Sequence, residues 1–155
     1  MIALVPGVRA LLPGHASLED PVAELRAACL AAVGRLGSRV RIVASDAGGA
    51  EVAVSLVAAV GAVVVEADET GVLLVGNGSA MRTEKAPGFL DERAAAFDEG
   101  LRVGLLAGRP TPDPALAAEL WADVAPLIGL DAGSAADVLY DDAPFGVQYW
   151  VITWP

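Results

Sequence analysis

Short apolar runs alternate along this chain with longer segments whose apolar residues recur every three or four positions. Glycine or proline stands at most changes of pattern. Ile2 to Val5 predicts a first strand, stopped by Pro6-Gly7. Val8 to Ala16 reads as a loop carrying Pro13-Gly14. Asp20-Pro21 then supplies an N-cap and a proline at the first helical position. That helix extends to about Leu36, with Val22, Leu25, Cys29, Leu30 and Val33 on one face and Gly37 as its stop. Arg39 to Ala44 predicts a second strand. Glu51 to Val60 is ambiguous, because Val52, Val54 and Val57 suit a strand; Gly61 and the strong strand pattern at 62–66 favour a helix.

The turn Asp68-Glu69-Thr70-Gly71 leads into a continuous apolar run, Val72 to Val75, which reads as a buried central strand. Leu90 to Ala107 predicts a helix ended by Gly108, and Thr111-Pro112-Asp113-Pro114 opens another, extending to about Ile128. Val138 to Tyr140, a turn over 141–146 and a last strand, Val147 to Thr153, complete the pattern. Alternating strands and helices point to one α/β domain over residues 1–155, a mixed sheet flanked by helices on both faces. The connection between the last two strands is too short for a crossover, so they should pair antiparallel.

Composition narrows the functional classes. The 155 residues are 55% hydrophobic and only 5% aromatic, which suits a valine-rich sheet under alanine- and leucine-rich helices. Ten basic against twenty acidic residues leave a net charge of −10, a field that repels phosphate backbones and anionic lipid surfaces. Nucleic-acid and membrane partners are therefore not expected. The single cysteine, Cys29, falls in a helical apolar pattern and reads as a buried structural thiol. No apolar run reaches transmembrane length, and Met1 to Val5 lacks the basic start of a signal peptide, so a cytoplasmic protein is expected.

Candidate chemistry gathers where the 72–75 strand empties into Gly76-Asn77-Gly78-Ser79, because open α/β sheets keep their sites at such strand ends. Asn77, Ser79, Arg82, Glu84 and Lys85 crowd that loop. Asp46, in Asp46-Ala47-Gly48-Gly49 after the second strand, is a sixth candidate for ligand binding. Neither glycine stretch has the spacing of a P-loop or a dinucleotide fingerprint. Ser79 lacks the surroundings of a nucleophile elbow, and His15, the only histidine, reads as a solvated loop residue. Asp141-Asp142 suits backbone capping in a turn better than metal binding. Arg82 should be buried and paired with Glu84 or an aspartate, and Lys85 should be exposed.

The stretch GNGSAMRTEKAPGFLDERAAAFDEGL resembles the class III extradiol ring-cleavage dioxygenase B-subunit superfamily, closest to its actinobacterial branch. The matching residues are Gly76, Ser79, Thr83, Ala86, Pro87, Phe97 and Asp98. The closing LYDDAPFGVQYWVITW is similar to that family's terminal strand, and VPGVRALLP fits its opening Pro-His-Pro-Pro loop loosely. The resemblance implies the family's α/β fold and, in its enzymes, non-haem iron held by two histidines and a carboxylate. Here the first ligand position falls at Gly7 and the acid/base histidine at Ala80. The resemblance thus implies the fold without the ancestral ring cleavage. No metal site and no cofactor are expected. Three functions follow: a non-catalytic binding or assembly protein, an enzyme that uses the strand-end cleft on a small polar substrate, or a structural subunit with no small-molecule site. A homo-oligomer is compatible with each.

Overall fold

The computed structural model describes residues 1–15, 19–133 and 135–155. Six strands form one mixed sheet: β1 (Ile2–Val5), β2 (Arg39–Val43), β3 (Val63–Val64), β4 (Gly71–Val75), β5 (Asp137–Asp142) and β6 (Tyr149–Trp154). Their order is β3-β2-β4-β1-β6-β5. The first four are parallel, and β6 pairs antiparallel with both β1 and β5. The run at 72–75 lies inside the sheet between β2 and β1, where strands covered on both faces need no polar alternation. Among the described residues, no helix is long and apolar enough to cross a membrane.

The alternation within each strand divides the core into two layers. Ala3, Val5, Val40, Leu73, Val75, Tyr149 and Val151 face α1 (Ala23–Gly34) and α2 (Ala47–Ala59). Leu4, Leu74, Trp150, Ile152 and Trp154 face α3 (Ala94–Leu106) and α4 (Pro114–Glu119). Burial of these side chains supplies the main drive to fold. Cys29 lies in the first layer, fully buried on α1, and burial pushes its thiol up to about 12. Native protein at neutral pH should therefore leave a thiol reagent unconsumed, with one equivalent reacting only after denaturation. Rapid labelling of the native state would contradict this placement.

Several elements depart from the sequence reading, and α3 begins at Ala94 where Leu90 is expected. β3 is two residues long, where a strand over 62–66 is expected. The chain leaves it early to cross the start of β2, where Arg39 donates to the carbonyls of Asp68 (2.8 Å) and Ala67 (3.2 Å) and Arg41 pairs with Glu69 (2.8 Å). α2 begins at Ala47 rather than Glu51, because the Asp46 carboxylate accepts the Gly49 N–H at 2.8 Å and caps it. α4 ends at Glu119 instead of about Ile128. Trp121 there takes a left-handed conformation (φ 56°), and a short 3-10 helix over Ala125–Leu127 follows separately. Asp141 and Asp142, expected in a turn, close β5.

Candidate functional site

The loop after β4 is shaped by two glycines. A Cβ on Gly76 would lie 2.7 Å from the Asp123 carbonyl oxygen. One on Gly78 would lie 2.5 Å from Asp98 Oδ1, 2.8 Å from Gln148 Cβ and 2.9 Å from Trp150 Cη2. Gly76 thus lets the segment after α4 come close, with Asn77 and Asp123 exchanging backbone hydrogen bonds at 3.0 Å. Gly78 lets α3 and β6 close over the loop.

From this loop a continuous chain of polar contacts runs from buried Ser79 and Asp98 out to the surface at Asp141 and Arg102. Asp98 occupies the buried face of α3 with Ala94, Leu101 and Leu105. Its carboxylate accepts the Ser79 N–H at 2.8 Å and Arg82 Nη1 at 3.1 Å. Arg82 Nη1 also reaches Gln148 Oε1 at 3.3 Å. Gln148 Nε2 donates to Asp141 Oδ1 at 2.9 Å, and Arg102, one turn along α3 from Asp98, donates to Asp141 Oδ2 at 2.6 Å. Ser79, fully buried, donates its hydroxyl to the Leu120 carbonyl and accepts the Met81 N–H. Burial holds the Asp98 carboxyl above the usual range, opposed by the Ser79 N–H and the Arg82 guanidinium. Nearby, Trp150 Nε1 is buried with no hydrogen-bond partner among the described residues.

The six sequence candidates do not share one cleft. Ser79 and Arg82 belong to this chain of contacts, Ser79 fully buried and Arg82 half-buried where a buried side chain is expected. Glu84 and Lys85 are exposed and line an open depression of about 580 Å³ with Thr83 and residues 143–146. Glu84 makes no hydrogen bond to a described residue, contrary to the expectation that it be held; Arg82 takes its aspartate partner from α3 instead. Asn77 is half-buried and turns its side-chain amide to the Gly78 carbonyl. Asp46 lies at the end of β2, beside a group that sequence reasoning missed. There the Ser45 hydroxyl hydrogen-bonds the Asp123 carboxylate, which burial, and more weakly the charge of Asp46, holds above its usual range. The signal for Asp98 was present: a carboxylate at helical spacing among apolar residues. Gln148, just before β6 and in step with its Trp150, Ile152 and Trp154, carried the same kind of signal.

Removing Arg82 leaves the Asp98 carboxylate buried with one donor. Arg82→Ala should cost about 1–3 kcal/mol in denaturant unfolding. Lys85→Ala, at an exposed side chain with no ion pair among the described residues, should stay within about 0.5 kcal/mol. Equal behaviour of the two variants would mean that this chain of contacts contributes nothing.

The residues present do not fit the iron centre that the resemblance implies for the family's enzymes. Gly7 and Ala80 carry no side-chain atom that could ligate a metal or move a proton. A Cβ on Gly7 would already lie 3.1 Å from Val75 Cγ1 and 3.2 Å from Gly49 Cα, because the end of β1 packs directly on the first turn of α2. His15 is exposed at the end of a 3-10 turn, Pro13–His15. Among the described residues no three His, Cys, Asp or Glu side chains are grouped to hold a metal ion. No protein-family model, curated protein or solved structure matches the chain.

Proposed function

We propose that this chain is a divergent relative of the extradiol dioxygenase B-subunit superfamily that acts as a binding or assembly protein rather than a ring-cleaving enzyme. The observation that carries the reading is the continuous chain of contacts from Ser79 through Asp98, Arg82 and Gln148 to Asp141 and Arg102. Ser79 and Arg82 of the strand-end loop are engaged with Asp98 on α3 and with Gln148, and a substrate would have to compete with those bonds, while Glu84 and Lys85 stay exposed. Gly7 and Ala80, where the resemblance places a ligand and a proton carrier, offer no atom for either task.

The test is to equilibrate the purified protein anaerobically with ferrous iron, remove the free metal, and measure bound iron and turnover of a catechol in air. Substoichiometric iron and no ring-opened product are expected. One tightly held iron per chain, or steady formation of ring-opened product, would overturn the proposal.

A further inference from the structure

Two of the most exposed apolar side chains of the chain sit on backbone that disfavours any side chain. Trp121 is 59% exposed at φ 56° and Phe89 is 73% exposed at φ 62°. The left-handed region is costly for residues with a Cβ, and strain of this kind gathers at functional positions. α2 and α3 end on the same pair of hydrogen bonds as α4. Gly61 donates to Ala58 and Ala62 to Val57; Gly108 to Leu105 and Arg109 to Gly104; Trp121 to Ala118 and Ala122 to Ala117. The first two helices place glycine at the left-handed position, as helices usually do. α4 places a tryptophan there and leaves its ring in water.

The two aromatics stand beside one shared backbone contact. Ala80 donates its N–H to the Leu120 carbonyl at 3.1 Å, and its own carbonyl accepts the Gly88 N–H at 3.0 Å. Trp121 and Phe89 are the next residues on either side. The Arg93–Glu119 ion pair at 2.7 Å joins the same two segments again, and Leu90, 51% exposed, continues the apolar surface. The net charge carried by these segments is acidic. Glu84 and Glu92 are exposed, and Arg93 is shared between Asp91 and Glu119. Within these segments Lys85 is the one cation outside an ion pair among the described residues. A second copy would set these carboxylates against themselves, with −10 on each chain.

We propose that Phe89, Leu90 and Trp121 form a docking surface for a protein segment presenting apolar side chains flanked by lysine or arginine. The inference rests on the reading of this chain as a binding protein and names the surface and the partner's chemistry. Tryptophan and phenylalanine supply large contact areas at few rotatable bonds, and acidic rim residues steer and orient a basic partner.

The experiment uses the intact protein and a labelled synthetic peptide that alternates lysine with leucine and phenylalanine, followed by anisotropy. Of the three tryptophans, only Trp121 is exposed; Trp150 and Trp154 are 1% and 0% exposed, so a blue shift of intrinsic emission reports directly on the patch. Saturable binding, weakened by salt, is expected. Replacing the peptide's lysines by glutamate, or its apolar residues by serine, should weaken binding at least about tenfold. Phe89→Gly and Trp121→Gly should each weaken it similarly while raising the melting temperature by a few degrees, because glycine relieves the backbone. Lost affinity with gained stability cannot come from misfolding.

Equal binding of the basic and acidic peptides would overturn the proposal, as would affinity unchanged in both glycine variants. So would self-association abolished by Trp121→Gly, which identifies a second copy, or partition onto phosphatidylcholine–phosphatidylserine vesicles, which identifies a membrane. If the peptide fails while the iron and turnover measurements stay negative, this surface falls and the non-catalytic reading stands. Ring cleavage in those measurements would remove the reading itself.

Discussion

Asp98→Ala is expected to cost about 3–5 kcal/mol in equilibrium unfolding, because it breaks a buried charge pair from the side that several groups depend on. Asp98 is 1% exposed and serves the Ser79 N–H and the Arg82 guanidinium together. Alanine leaves the first donor buried without an acceptor and strands the second beside Gln148. An asparagine at this position would keep an oxygen for the Ser79 N–H, so Asp98→Asn should cost less than Asp98→Ala. The same pair of variants gives a pH test. The folded-state pKa of Asp98 is raised, with burial as the largest cause. The native state therefore holds this proton more tightly than the unfolded chain. Its contribution is fully present below the ordinary aspartate range and is lost as pH rises through the raised value. The stability difference between the parent and Asp98→Asn should shift across that interval, in the direction that favours the parent in acid. A difference independent of pH would show that burial does not hold this carboxyl up.

Gly78→Ala should cost about 3 kcal/mol, at the upper end of what a single inserted methyl does to a packed interior. The new carbon would meet Asp98 Oδ1, Gln148 Cβ and Trp150 Cη2, all within 2.9 Å. None of these can yield freely: Asp98 is held by two donors, the Gln148 contact is a Cβ anchored to β6, and Trp150 is 1% exposed in the second core layer. Gly100→Ala is the matching control, since a Cβ there meets nothing within 4 Å on an exposed turn of α3. It should be neutral or slightly stabilising, because alanine is the better helix former. A thermal melt in which Gly78→Ala matched Gly100→Ala would mean that the loop does not pack as tightly as described.

The strands β1 and β4 were legible because each is a run of apolar residues cut off by glycine, proline or a polar cluster, and β2 because β-branched residues alternate with arginine before Ser45-Asp46. β3 was legible in place and not in length. Val65 and Glu66 continue the pattern, but the pull of Arg39 and Arg41 on residues 67–69 is tertiary and leaves no local mark. The end of α4 was hidden for the opposite reason. Glycine is the usual stop, and nothing in Leu120-Trp121-Ala122 announces a left-handed residue. At the candidate site, the need of Arg82 for an aspartate followed from the cost of burying an unpaired guanidinium. Which aspartate it takes depends on how α3 lies over the loop. Ser45 and Asp123 meet across 78 positions of sequence, a distance no local pattern reports.

The pairing of β1 with β6 has a consequence for the growing chain on the ribosome. Residues 2–75 contain the four parallel strands with α1 and α2, and they can begin to assemble as they emerge. The other face of that sheet has no such freedom. Trp150, Ile152 and Trp154 form its centre, so Leu101, Leu105 and Leu127 have no completed surface to pack on until β6 has been made. Through the synthesis of α3, α4 and β5, one edge of β1 stays open and the apolar faces above it stay wet. This is the interval in which the nascent protein is most open to wrong strand pairing and most in need of a chaperone's cover.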